Sequence, residues 1–400
     1  MNMQIRPAAD QAARLPGHQA QLTWKMGFEI ELLAPPGQSR EALARQVAAD
    51  IGGSLERFFH PQSEPSLVPN KPTFENLTPG FRVHTADGAP YASFVDDVTI
   101  KQTLDPYKPP QPGWYRIVSD DSRLLQLVVE HCRADEPLDT VLLPFAALFG
   151  TKLEKHQAGL VKVADRRNVS LAIGAPMPGE RERPCEIVTA PLIVGQRETL
   201  DHLLTAARTA GYTVPREGAV HIHFDAAALS HPLPFSRLVE LLSRHGPALR
   251  RLVGTNHHCV RLGGWPPMLE ELVRHPDFVG LTWAEARDAL REVGLTKYCD
   301  FNLVNMVEQN PQKPTFEVRI LPSTLDAHSI LEAATLFEAI LNWCMVTAAT
   351  GPKQIPTSLP HLISRIFHTP QDVELWMNKH LASDARHAET KGTRTSADVG

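Results

Sequence analysis

The chain has 400 residues, 42% hydrophobic and 21% charged, with a formal net charge of −5; this is the balance of a globular protein, and basic patches as short as residues 181–184 (RERP) set aside a nucleic-acid-binding role. Its length exceeds one small core and falls short of three ordinary domains, so one large catalytic domain with insertions, or two domains, is expected. Five scattered cysteines without a CxxC pair argue against a disulfide framework or a thiolate zinc site, and no apolar run approaches the roughly 20 residues of a membrane helix.

Residues 1–24 read as an N-terminal extension with Arg6 and Arg14 but no continuous apolar core, so they do not resemble a signal peptide and the cytoplasm is the expected location. Residues 25–34 (KMGFEIELLA) alternate Glu29 and Glu31 with Phe28, Ile30 and Leu32, which predicts a strand with both carboxylates on one face. Ser39 then caps a helix that ends at Gly52 and Gly53. Between residues 60 and 112 ten prolines argue against long helices and central strands, so this stretch reads as an insertion, with short strands at 92–100 and 113–124 carrying Asp96, Asp97, Asp120 and Asp121.

Helical spacing follows at 123–132 and 138–149, the second containing Pro144, and strands are expected at 160–163, 168–174 and 185–192. An amphipathic helix at 199–210 leads to a strand at 219–225, then helices at 235–253, 268–274 and 283–293, the last opened by a Thr282/Glu285 capping box. Residues 299–307 and 315–321 predict an antiparallel hairpin, and 328–345 an apolar closing helix. A C-terminal helical extension covers 351–381, with a helix opened by Pro370, and the small polar residues 382–400 are expected to be disordered.

Four predicted strands share one design. Their polar faces carry Glu29 and Glu31, Glu186, then His221, His223 and Asp225, and finally Glu317 and Arg319, while each opposite face is apolar. Singly these have bland readings: a solvated strand face, an edge charge, incidental histidines, an exposed ion pair. Gathered on one antiparallel sheet with helices under its apolar face, they make a site in which one arginine cannot neutralise so many acids, and the charge balance calls for divalent cations. Oxygen-rich ligation with one or two imidazoles favours Mg2+ or Mn2+ over Zn2+.

The chain resembles the amidoligase family, within the glutamine synthetase-like superfamily of carboxylate–amine ligases. The resemblance rests on GFEIEL (27–32), CEIVTAPL (185–192), HIHFD (221–225), YCDFNLVN (298–305) and TFEVRILPST (315–324), and spans roughly residues 26–345 with 60–113 as an unexplained insertion. It implies an α+β fold at 25–350, a curved antiparallel β-sheet with a polar metal- and ATP-binding face and helices packed on the other. It implies that Glu31 and Glu186 hold one metal ion, that Glu29, His221 and Glu317 hold another bridging the ATP phosphates, that His223 faces those phosphates, and that Arg319 stabilises the transferring γ-phosphoryl group. For the family's Asp-x-Ser element two stretches compete, Asp120/Ser122 and Asp165.

The implied chemistry is ATP-dependent amide formation through an acyl phosphate, with Asp225 available to deprotonate the amine. Substrates would be a carboxylate and an amine, small molecule or peptide, with a companion amidotransferase or peptidase protein as a partner. Lys297, Arg261 and Asn302 are available to contact an acidic substrate, while surface charge or strand-end hydrogen bonding explains them as well. Two other readings stay open: a divalent-metal-dependent hydrolase, since an HxH strand with carboxylates also suits water activation, and a non-catalytic nucleotide- or peptide-binding protein.

Overall fold

The alternation around Glu29 and Glu31 folds as strand β1 (Met26–Leu33), with Phe28, Ile30 and Leu32 wholly buried. Ser39 caps helix α1 (Arg40–Asp50), its hydroxyl accepting from Ala42 N at 3.2 Å. This computed structural model describes residues 22–65, 73–259, 261–308, 314–350 and 354–397. It continues with a long hairpin, β2 (Ser54–Pro65) and β3 (Thr73–His84), then β4 (Pro90–Val95), β5 (Tyr115–Val118), α2 (Ser122–His131) and α3 (Leu143–Leu148). Strands β6 (Leu153–Lys155), β7 (Val161–Ala164), β8 (Ser170–Pro176) and β9 (Pro184–Thr189) precede α4 (Gln196–Thr209) and β10 (Ala219–Asp225). Helices α5 (Pro232–Val253), α6 (Pro267–Arg274) and α7 (Trp283–Arg291) lead to β11 (Phe301–Asn302), α8 (Val304–Val307) and β12 (Thr315–Pro322), and α9 (Ala327–Thr350), α10 (Leu359–Ile366) and α11 (Pro370–Ala397) close the chain.

The strands form one twelve-stranded sheet in the order β11-β12-β10-β1-β9-β4-β3-β5-β8-β7-β6, with β2 paired to β3 outside this path. The registered pairs are antiparallel throughout. Phe28, Ile222, Phe224 and Phe316 from its apolar face pack with Val47 of α1, Leu203 of α4, Leu238 of α5 and Phe337 of α9 in the main core. A second core joins Leu77 and Ile117 to Leu125 of α2 and Phe145 of α3. The expected combination of helices with a large antiparallel sheet is therefore present, and one sheet face is left for polar side chains.

The proline-rich stretch is not the strand-poor insertion that its composition predicts. The hairpin β2–β3 is built from it, and β4 is a central strand between β3 and β9. Three of the described strand prolines occupy places where a missing N–H is harmless. Pro61 lies on β2, which pairs along one side, and Pro90 is the first residue of β4. Pro79 lies at a fork: one side of β3 pairs with β5 at Asn76 and Leu77 and with β4 from Phe81 to His84, leaving residues 78–80 between them. The fully buried Arg40 guanidinium fills that gap, donating to Pro79 O and, at 2.7 Å, to Arg181 O, lying 4.4 Å over the Trp114 ring and 3.8 Å from Asp96.

Other expectations change for local reasons. The helix predicted over 138–149 is reduced to α3, because Pro144 suits only its first turn. The strand expected over 299–307 stops at Asn302, whose side-chain oxygen accepts from Val304 N at 2.9 Å and turns the chain into α8. The polar turn before β12 falls at 309–313, and most of the N-terminal extension at 1–21, both outside the described residues. Helix α11 runs through 382–397, where composition predicts disorder. Helix α9 also corrects the absence of an apolar run of membrane length: Ala327–Val346 is long and apolar enough to cross a membrane by length and composition, but Ile330, Ala334, Phe337, Ile340 and Leu341 are fully buried in the core.

Candidate active site

Residues directly opposite one another in antiparallel strands point to the same face. Glu29 lies opposite His221, Glu31 opposite Glu186, and His223 opposite Glu317, so registry alone gathers six of the predicted side chains across β9, β1, β10 and β12. Between the Val220–Leu321 and Ile222–Val318 pairs the register shifts, so that Arg319 and Ile320 together oppose the single His221. This bulge keeps Arg319 beside Glu317 while pinning its backbone N–H to Asp300 O at 3.0 Å.

The cluster is tight and largely buried. His221 Nδ1 lies 3.1 Å from Glu29 Oε2 and 3.5 Å from Glu317 Oε1, and its Nε2 is 3.9 Å from Glu31 Oε1. His223 Nε2 lies 3.0 Å from Glu29 Oε1 and 3.7 Å from Glu317 Oε1. That Nε2 is buried yet lacks the alignment of a hydrogen bond, while Nδ1 on the other side of the ring is 3.1 Å from Thr315 Oγ1. Arg319 Nη1 meets Glu317 Oε1 at 2.5 Å, and Asn302 Nδ2 donates to Glu317 Oε2 at 2.7 Å. Two sets of ligand-type atoms therefore converge, Glu29 with His223 and Glu317, and Glu29 with Glu186 and His221. Glu29 belongs to both.

Electrostatics separate the members. Burial pushes Glu31 well above the usual carboxylate range, with Asp97 adding to the rise and the hydrogen bond from Ala219 N opposing it. Burial also opposes ionisation of Glu317, but Arg319, His223 and His221 outweigh it and hold its carboxyl at about 2. His221 is pushed down, first by burial and then by the Arg319 cation, which keeps the imidazole neutral and able to ligate. Although burial disfavours charge on Arg319, Glu317 and Glu29 raise it above the ordinary arginine value.

Asp97 is the neighbour that sequence reasoning left unassigned. Buried just beyond β4, it accepts from Thr99 N at 2.7 Å and from Thr99 Oγ1 at 2.8 Å, and its charge reaches Glu31. The signal was an Asp-x-Thr inside the strand expected over 92–100, which in fact ends at Val95 and leaves Asp97 beyond it. Asp165 instead builds the β7–β8 turn, accepting from Arg167 and Val169 N, and Ser122 opens α2 after the capping Asp121. Asp225 ends β10 and accepts from Ala227 N at 2.9 Å. Asn302 does reach the cluster through Glu317, whereas Lys297 and Arg261 stand over the Tyr298 ring, each 5.5 Å from its centroid.

Fold and site together define a mixed helix and antiparallel-sheet protein with a buried carboxylate–imidazole–arginine cluster on the sheet's polar face. The family model described as "putative amidoligase enzyme" matches residues 22–341, and the chain belongs to that family. A comparison with curated proteins gives no match.

Proposed function

We propose that the protein is an ATP-dependent carboxylate–amine ligase with a glutamine synthetase-like catalytic face. The observation that carries this reading is the pair of ligand sets sharing Glu29 beside the Arg319 guanidinium, which is paired with Glu317. Four glutamates, two imidazoles and one guanidinium are short of positive charge, and their oxygen-rich donor set suits Mg2+ or Mn2+. The fit is supported by His221, held neutral, and by His223, whose Nε2 faces the carboxylates without an aligned hydrogen bond while Nδ1 is steadied by Thr315. Glu29, His223 and Glu317 would hold one ion and Glu29, Glu186 and His221 the other, with Glu31 alongside. Relative to the sets that the family resemblance implies, His223 replaces His221 beside Glu29 and Glu317, and Glu29 with His221 replaces Glu31 beside Glu186.

Bound there, divalent ions would neutralise the triphosphate of ATP and withdraw charge from the transferring phosphoryl group. The chain's own residues do the rest. Arg319, fixed by Glu317 and by Asp300 O, presents a permanent planar cation to the phosphoryl oxygens. The substrate carboxylate attacks the γ-phosphorus, ADP leaves, and the acyl phosphate is then attacked by an amine with loss of phosphate and one proton, for which Asp225 at the rim is the acceptor. Asp97 with Thr99, whose carboxylate charge acts on Glu31, is a further candidate for the family's Asp-x-Ser element beside Asp120/Ser122 and Asp165. The substrates are a small-molecule or peptide carboxylate and an amine, and a companion amidotransferase or peptidase protein is the proposed partner.

The test uses purified protein, ATP, Mg2+, hydroxylamine as a generic amine and a panel of carboxylic acids. ADP and hydroxamate should form in equal amounts, and Glu29→Gln or Glu317→Gln should abolish both. Amide or ester cleavage without ATP would sink the ligase reading in favour of a hydrolase. ATP turnover unaffected by either substitution would mean that this face is not catalytic.

A further inference from the structure

Lys297 and Arg261 bring two cations to one aromatic ring, that of Tyr298, each 5.5 Å from its centroid. Neither forms an ion pair or hydrogen bond with any described residue. The Tyr298 phenol oxygen is buried and has no hydrogen-bond partner among the described residues. Two cations at one ring, beside a buried hydroxyl that lacks an acceptor, are stabilised when an anion joins them. Three adjacent side chains thus present donors without an acceptor, which is the chemistry of an anion site.

Its position links it to the cluster. Tyr298 precedes Asn302 by four residues, at most roughly 14 Å of extended chain, and Asn302 donates to Glu317 while Asp300 O holds the Arg319 backbone. Arg261 comes alongside because Gly263 and Asp300 pair through their backbones, Asp300 N donating to Gly263 O at 2.9 Å. Cys259, two residues before Arg261, lies within electrostatic reach of Glu31. Lys297 also lines a groove of about 1120 Å3 that runs to Glu56, Arg57 and Arg82 of the β2–β3 hairpin, which leaves room for a substrate longer than one acid group.

We infer that Arg261, Lys297 and Tyr298 form a subsite for a second carboxylate of the acyl substrate, making the preferred substrate a dicarboxylic acid or an acidic peptide. This rests on the ligase reading. A carboxylate fits better than a nucleotide phosphate because the two ligand sets already provide for phosphate charge, whereas this trio is away from them and offers a planar fork, a point charge and a hydroxyl. The reacting carboxylate loses its charge when phosphorylated, so a second, unreacting carboxylate keeps the substrate anchored through both half-reactions.

The experiment separates binding from turnover. Calorimetric titration of full-length protein without ATP, using the diacids from succinate to suberate with butyrate as the monoacid control, reads the subsite alone. At least one diacid should bind more tightly than butyrate. Arg261→Ala and Lys297→Ala should each weaken it about tenfold; Lys297→Arg should restore it to within about twofold and Tyr298→Phe should cost about threefold, since both keep the shape of the site. In the hydroxamate assay the KM for the diacid should rise in the alanine variants while the KM for ATP does not follow. Diacid binding lost in the alanine variants with no turnover in the wild type would leave the subsite standing and remove the ligase reading. Diacids that do not bind, that bind all variants equally, or a KM for ATP that rises in step would overturn the subsite, and hydroxamate formation from butyrate would then still uphold the ligase.

Discussion

Glu29 sits at the meeting point of both ligand sets, so one carboxylate would serve both ions of the proposed site. Glu29→Gln should weaken Mn2+ binding at both positions on the order of a hundredfold, whereas Glu186→Gln should affect one. Titration followed by electron paramagnetic resonance distinguishes these, and an intact tight site in Glu29→Gln would show that the carboxylate is not shared. Glu31 and Glu317 pull stability in opposite directions with pH. The folded-state value of Glu31 is raised, so with divalent ions chelated its burial costs stability progressively as pH rises above 4.5. Glu317 is depressed to about 2 from 4.5, so its contribution is complete above 4.5 and is lost as pH falls towards 2. In thermal unfolding with EDTA at neutral pH, Glu31→Gln should therefore raise the Tm and Glu317→Gln lower it; the reverse order would refute this electrostatic picture. At this scale the sequence was informative wherever period two applied: Glu29, Glu31, Glu186, His221, His223 and Glu317 share a face because strand geometry requires it. Which histidine completes which set depends on registry across β10 and β12 and on the bulge at His221, which no single strand encodes. Asp97 escaped for the same reason, since it acts from beyond the end of β4.

Elements show the same division. β1, β10 and α1 are legible because alternation, or a serine cap, is a local property, and the Thr282/Glu285 box of α7 has both of its hydrogen bonds. The hairpin β2–β3 was hidden by its prolines, because a missing N–H excludes a central position only where a neighbour needs that donor, and whether one does is a tertiary fact. Arg40 is its counterpart on α1: a charged helix residue that reads as solvent-exposed, yet is wholly buried in the β3 fork. Removing it strands the Asp96 carboxylate with Arg181 alone and leaves Pro79 O without its donor. Arg40→Met should cost about 3 kcal/mol in denaturant unfolding; a loss below about 1 kcal/mol would mean that the fork stands without its plug.

Over the whole molecule, the family match ends at residue 341, yet the core does not. Leu362 and Ile363 of α10 are fully buried, and Trp376 of α11 is buried and stacked on Phe367 at 5.9 Å. Truncation after residue 354 should uncover this apolar surface on α5 and α9, giving a protein that binds a hydrophobic dye and melts at lower temperature; a truncated chain with the Tm of the full one would make these helices dispensable. The fork in β3 has a further mechanical meaning. Strands β5, β8, β7 and β6 connect to the rest of the sheet through β3, where the β3–β5 ladder has two registered pairs, while β4 is held by both β3 and β9. A sheet joined at so narrow a neck bends there before it bends anywhere else, so hydrogen exchange should be fastest across Asn76–Leu77 and slowest in β1 and β10. The polar cluster lies wholly on one side of that neck, so bending there would move the outer strands with α2 and α3 and leave the cluster's geometry unchanged.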